Sequence, residues 1–159
     1  MPYRMPAEWE PHAATWIGWP HNRTDWPGKF APIPWIYVEI VRHLHRRERV
    51  RILTMDPARP ARMLERAGVD LSRVDFFRIP TDRGWTRDFG PMFVTNGRRL
   101  AINNWRFSAW AKYSNWRLDD RVAGRVARKL RLPLVEQEIV LEGGSIEVNG
   151  RGTLMTTEE

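Results

Sequence analysis

Two carboxylates in matching surroundings are the residues of this chain best placed to do chemistry. Asp88 lies in Gly84-Trp85-Thr86-Arg87-Asp88-Phe89-Gly90-Pro91, after an aromatic and an arginine and just before a chain-bending Gly-Pro pair. A strand-like run from Met92 to Thr95 follows and ends in the hairpin signal Asn96-Gly97. A carboxylate held at a strand mouth beside an aromatic wall suits a planar organic cation, because its oxygens accept paired N–H donors from a guanidinium fork.

The plan occurs twice. Glu142-Gly143-Gly144-Ser145-Ile146-Glu147-Val148-Asn149-Gly150 again sets an acid, a nearby glycine, a short run and Asn-Gly. The residues beyond the turns also rhyme, Arg98-Arg99-Leu100-Ala101-Ile102 against Arg151-Gly152-Thr153-Leu154-Met155. The two Asn-Gly turns are 53 positions apart, about the spacing of one propeller-type unit. Units related by rotation would bring Asp88 and Glu142 to equivalent places near an axis. Two ordinary hairpins with coincidental acids would leave the same string.

Composition narrows the classes. At 159 residues the chain can bury one sizeable core, and one domain is the default. Apolar content of 42% with 28% charged residues is that of a soluble globular protein. No apolar stretch approaches the roughly 20 residues of a membrane span, and the N-terminus lacks a signal-peptide pattern. There is no cysteine, so disulfides and a cysteine nucleophile within these residues are excluded. Cytoplasmic residence is the simplest reading. The +7 charge invites a nucleic-acid hypothesis, but its 23 arginines and three lysines are scattered along the whole length. The cluster Arg42, Arg46, Arg47, Arg49 and Arg51 spans a helix end and a strand start, and reads as solvated surface rather than a binding face.

The elements that must position the acids alternate. Ala14 to Trp19 reads as a buried strand. Pro34 opens a helix whose apolar face is Tyr37, Ile40, Val41 and Leu44. Val50 to Met55 is a second strand, Ala58 to Ala67 a helix closed by Gly68, and Val74 to Ile79 a third strand. After the Asp88 hairpin, whose return strand is Leu100 to Asn104, comes an irregular Trp-rich stretch from Trp105 to Trp116. Leu118, Val122, Val126 and Leu130 mark another helix, with Asp119 and Asp120 at its positive end and Arg128, Lys129 and Arg131 at its negative end. A strand from Leu134 to Gln137 leads to the Glu142 unit. The order predicts a mixed α/β chain. Gly152 to Thr157 reads as a strand in progress and Glu158-Glu159 supplies no stop signal, so the sequence is expected to be cut from something longer.

Five segments then carry a resemblance. Met5-Pro6-Ala7-Glu8-Trp9-Glu10-Pro11-His12, Trp16-Ile17-Gly18-Trp19-Pro20, Trp85-Thr86-Arg87-Asp88-Phe89-Gly90-Pro91, Leu118-Asp119-Asp120 and Leu141-Glu142-Gly143-Gly144-Ser145 look like the N-terminal half of the agmatine deiminase / bacterial-type peptidylarginine deiminase family. The likeness is collinear and covers essentially the whole chain. It implies roughly half of a five-bladed α/β propeller of the pentein type, built from ββαβ units. It places residues 1–159 as the N-terminal part of one catalytic domain, ending before the family's His-x-Asp and cysteine motifs. The implied reaction is hydrolysis of a guanidinium to a ureido group plus ammonia by a cysteine thiolate, with histidine as acid and base and with no metal or organic cofactor. Agmatine is the implied substrate, and arginine within peptides is the alternative.

By the same resemblance Asp88 and Glu142 take the catalytic places, both at the substrate, and Asp88 is the guanidinium-binding aspartate. Trp85 would wall the site and stack on the cation, with Gly143 and Asp82 as further contacts. Each has a plainer reading. Asp88 could cap a turn or pair with Arg87, Glu142 could be a charge beside a Gly-Gly turn, Trp85 could be core, and Asp82 could cap a loop. Arg87 reads as an ion-pair partner. Two departures stand out. Ser108 and the single Ala111 replace the family's Asn and Gly-Gly in Phe107-Ser108-Ala109-Trp110-Ala111-Lys112-Tyr113. The four histidines, His12, His21, His43 and His45, do not match the catalytic one. His43 and His45 lie two apart on a helix and make a poor metal pair. A rival, non-enzymatic reading is a single-strand nucleic-acid binder stacking bases on Trp105, Trp110 and Trp116. Half a propeller would leave strand edges and apolar surface open, which predicts self-association or pairing with a missing half.

Overall fold

Short apolar runs bounded by turn residues dictate the first sheet. A computed structural model describes residues 2–157; the Glu158-Glu159 end read above lies outside the described residues. The chain divides into two compact units, one of residues 12–86 and one of residues up to 11 together with those from 87 onward.

In the first unit three strands, β1 (Ala14–Gly18), β2 (Arg49–Leu53) and β3 (Val74–Phe77), pair parallel in that order. Ile17 stands opposite Ile52, and Ile52 opposite Phe76. Parallel neighbours require crossovers, and helices α1 (Ile33–Leu44) and α2 (Ala58–Arg66) supply them. Pro34 sits in the first turn of α1, where its missing N–H has no partner to lose. Val38, Val41, Val50, Ile52 and Leu64 form the dry centre of this unit. The expected apolar face of α1 is displaced. Pro34, Val38 and Val41 are buried and Tyr37 and Leu44 pack beside them, but Ile40 is 41% exposed. One residue is about 100° of helix, enough to turn Ile40 out when Val41 points in. The α2 stop is as read: Gly68 has φ +73°, and Val69 N–H donates to the Leu64 carbonyl at 3.0 Å.

The second unit begins at a single helical turn, α3 (Thr86–Phe89), only its first residue lying in the other unit. Strands β4 (Met92–Thr95) and β5 (Leu100–Arg106) form an antiparallel hairpin. Helix α4 (Val122–Leu130) buries Val122, Ala123, Val126 and Ala127, and packs on β5. Leu118 to Arg121 forms the turn before α4, and not its first turn as expected. Strand β6 (Leu134–Val140) then pairs parallel with β5, three residues longer than the sequence suggested. A second hairpin, β7 (Ile146–Val148) with β8 (Leu154–Thr156), closes the described chain.

The two hairpins repeat one local design. Asn96 Oδ1 accepts the backbone N–H groups of Arg98 and Arg99, and Asn149 Oδ1 accepts those of Arg151 and Thr153. Gly97 and Gly150 follow with φ of +83° and +71°. The last paired residues, Thr95 with Leu100 and Val148 with Leu154, make these longer asparagine-capped loops rather than two-residue turns. The Trp-rich stretch resolves into the end of β5 and a left-handed turn. Ala109, Trp110 and Ala111 have φ of 49°, 57° and 53°. Each such non-glycine residue costs about 1–2 kcal/mol. Ala111→Gly is therefore expected to raise the melting temperature by about 2 °C, measured by circular dichroism. An unchanged or lower value would mean that the turn is not strained.

Candidate functional site

Asp88 occupies the third position of α3, directly before the Gly90-Pro91 bend into β4. Glu142 stands in extended backbone at the head of a 3-10 turn, Gly143–Ser145, that leads into β7. Each acid thus precedes the first strand of an Asn-Gly hairpin by way of a short helical turn. Both belong to the second unit. Asp88 is half-buried, and its carboxyl is pushed up from the usual aspartate range, first by burial, then by the negative charge of Glu142. Arg87 pulls in the opposite direction.

The Gly143-Gly144 backbone explains how the acids come together. A methyl group on Gly143 would lie 2.5 Å from the Arg87 carbonyl oxygen and 3.2 Å from Met92 Cε. On Gly144 it would overlap Asp88 Oδ1. Neither glycine has a positive φ, so close approach and not backbone freedom makes the pair necessary. Arg87 points away into ion pairs with Glu8 and with Glu147, the latter at 2.9 Å. Its structural role is the one expected, and it leaves the Asp88 carboxylate to other donors. A cavity of about 10 Å³ beside Asp88 is bounded by Phe89, Asn103, Phe107 and Asp120. That is room for about one water. Phe89 and Phe107 stack edge to face there, with ring centres 5.9 Å apart.

Trp85 and Asp82 belong to the first unit. Trp85 is half-buried, and the Arg83 guanidinium lies 4.9 Å from its ring centre. Arg83 is itself 4% exposed, pairs with Asp25 and donates to Thr24 Oγ1 at 3.2 Å. The members of this buried pair stand 58 positions apart. Its one signal was an arginine two residues before Trp85. The Asp82 backbone carbonyl accepts a hydrogen bond from Asn22 Nδ2 at 3.0 Å, which ties the two loops together.

Several of the remaining polar candidates are engaged in structural contacts. Arg49 and Arg51 share Asp75, and Arg51 also lies 5.2 Å from the Trp16 ring centre. Arg42 pairs with Glu39. Three of the five arginines of the cluster are thus ion-paired in place. His45 is buried against the Val41 carbonyl and His12 pairs with Glu48. Among the described residues no group of three His, Asp or Glu could hold a metal ion, and no helix is long and apolar enough to cross a membrane.

Comparison with known proteins identifies the family. Residues 4–159 match the family described as Porphyromonas-type peptidyl-arginine deiminase. The agmatine deiminase of Stutzerimonas stutzeri (strain A1501) is 36% identical over 165 residues, covering 99% of this chain and 44% of the relative. The solved agmatine deiminase of Enterococcus faecalis superposes with a TM-score of 0.86 at 26% identity, over 98% of this chain and 44% of its own. A substrate-bound agmatine deiminase of C. jejuni gives 0.83 at 28% identity, over 97% and 45%. The chain thus spans less than half the length of the relatives it matches. Its mixed α/β architecture is that of part of a pentein fold. With the match running through both acid-bearing hairpins, the chain belongs to the Porphyromonas-type peptidyl-arginine deiminase family.

Proposed function

We propose that this chain supplies the guanidinium-gripping half of a guanidine deiminase that converts agmatine to N-carbamoylputrescine and ammonia. The observation that carries this is the Asp88 carboxylate, half-buried, pushed up by burial and then by the negative charge of Glu142, with the Gly144 backbone close to its Oδ1. Two acids confined together repel each other, and a planar cation with several N–H donors relieves that repulsion. A guanidinium is a poor electrophile because resonance spreads its charge. Fixing its N–H groups on two carboxylates aligns its central carbon for attack and holds the charge in place. The family resemblance further implies Trp85 as a stacking wall for the flat cation, and Gly143 and Asp82 remain candidate contacts.

The nucleophile comes from outside these residues, since the chain has no cysteine. A thiolate adds to the guanidinium carbon, ammonia leaves, and water displaces the sulfur to give the ureido product. A His-x-Asp histidine, also outside the chain, moves the protons. The 159 residues alone are therefore inactive. The related agmatine deiminases favour agmatine, whereas the family description favours arginine in peptides. Assay of ammonia release decides between them. The protein that continues in frame beyond codon 159 is expected to act on agmatine faster than on a blocked arginine peptide, and the 159-residue chain on neither. Turnover by the short chain, or a stop codon there with no cysteine-bearing continuation, would overturn the proposal.

The glycine pair separates binding from stability. Gly144→Ala meets only the movable end of Asp88, so agmatine affinity is expected to fall about tenfold with a nearly unchanged melting temperature. Gly143→Ala meets the Arg87 backbone, so it should cost about 1–3 kcal/mol of unfolding free energy. Calorimetric titration and urea denaturation read the two effects, and equal behaviour of the two variants would contradict the close approach.

Asp88 also makes stability depend on pH. Its folded pKa is raised, so the stability it contributes is complete below its unfolded pKa of about 3.9 and is lost as pH rises through the folded value. Asp88→Asn is expected to melt about 1–2 °C above the parent at pH 7, a difference that vanishes below about pH 4. A lower melting temperature at pH 7 would show that the carboxylate stabilises the free chain.

A further inference from the structure

The first unit contains a cleft of about 530 Å³ that the proposed deiminase chemistry does not use. Its walls come from the segments that directly follow three parallel strands: Trp19 to His21 after β1, Thr54 to Asp56 after β2, and Ile79 and Thr81 after β3. This volume suits a small organic molecule. The floor is apolar, with Trp19 5% and Ile79 2% exposed and Pro34 and Pro60 buried. Phe30 adds an aromatic face. His21 keeps the mouth in shape, its ring nitrogens 3.1 Å from the Trp19 carbonyl oxygen and 3.0 Å from that of Thr81.

Two exposed guanidiniums border this apolar floor. Arg23 and Arg59 both line the cleft, and neither is in an ion pair among the described residues. The single acid on the lining, Asp56, already accepts the Ala58 N–H at 3.2 Å. Such a lining repels a guanidinium substrate and attracts an anion, which arginine forks hold in bidentate fashion. Aromatic and proline surface beneath it takes a flat apolar body.

We propose that this cleft is a second ligand site, one for a small organic anion whose carboxylate or phosphate lies between Arg23 and Arg59 and whose flat body rests on Trp19 and Phe30. The site is independent of the Asp88 reading and stands if that reading fails.

Titration of the isotopically labelled 159-residue chain, followed by amide NMR shifts, tests it with two probes. Indole-3-acetate carries a carboxylate and adenosine monophosphate a phosphate, each on a planar body. Saturable shifts confined to the segments around Trp19, Phe30, Met55 and Thr81 are expected with at least one probe, and the better binder identifies the anionic group. Arg23→Gln with Arg59→Gln should weaken that binding at least about tenfold, as loss of charge-assisted bonds requires, while leaving the unbound spectrum folded. Arg46→Gln with Arg47→Gln removes the same charge elsewhere and should leave affinity unchanged. Failure of both probes to saturate, shifts outside the cleft, or equal weakening in the two double variants would overturn the proposal, the last by showing attraction to net charge alone.

Discussion

The contact on which the candidate site depends is between backbone and side chain at two glycines. Gly143 and Gly144 bring the turn after Glu142 so close to α3 that any Cβ there would strike the Arg87 carbonyl or the Asp88 carboxylate. Removing two methyl groups lets two acids approach at the cost of mutual repulsion and partial loss of water. That cost appears as the upward push on Asp88. Under the proposed function, stability and binding oppose each other here, as is common where like charges are held together. Arg87, bound to Glu8 and Glu147, fixes the backbone of this turn without neutralising the acid beside it.

The surroundings serve the same end. Asparagine-capped hairpins fix the strands that follow each acid, and their glycines take the positive φ that the loops require. The close approach of Gly150 is another instance, since a Cβ there would lie 2.8 Å from the Ala7 nitrogen. Glu10 is held against Arg4 in the same area, and the Arg4 hydrogen bond lowers its pKa to about 2. In the first unit, Arg83 is buried with Asp25 and faces Trp85, so the ring three positions before Asp88 is braced by a charge in its own unit.

How much was legible in the sequence depends on the range of the interaction. The Asn-Gly hairpins, the Pro34 helix start and the Gly68 stop are local, and local chemistry determines them. The acid repeat showed which residues to watch, and the family resemblance holds over residues 4–159. Other features need partners far along the chain. The Arg83–Asp25 pair could not be read because neither neighbour sequence names the other. Ile40 was misplaced because α1 is apolar on several sides, and only packing selects Val38 and Val41 over it. A Gly-Gly pair was visible at 143 and 144, but what it approaches was not. The left-handed turn at Ala109 to Ala111 was likewise hidden, since alanine there disguises backbone angles that favour glycine.

Asp88 and Glu142 together are proposed to form a grip for a guanidinium. Carbon-detected NMR titration of the Asp88 carboxyl, without and with saturating agmatine, tests it most directly. An Asp88 pKa above that of an ordinary aspartate is expected in the free chain, falling when agmatine binds, with putrescine producing a smaller change. An ordinary value in the free chain, or one that agmatine leaves unmoved, would contradict it.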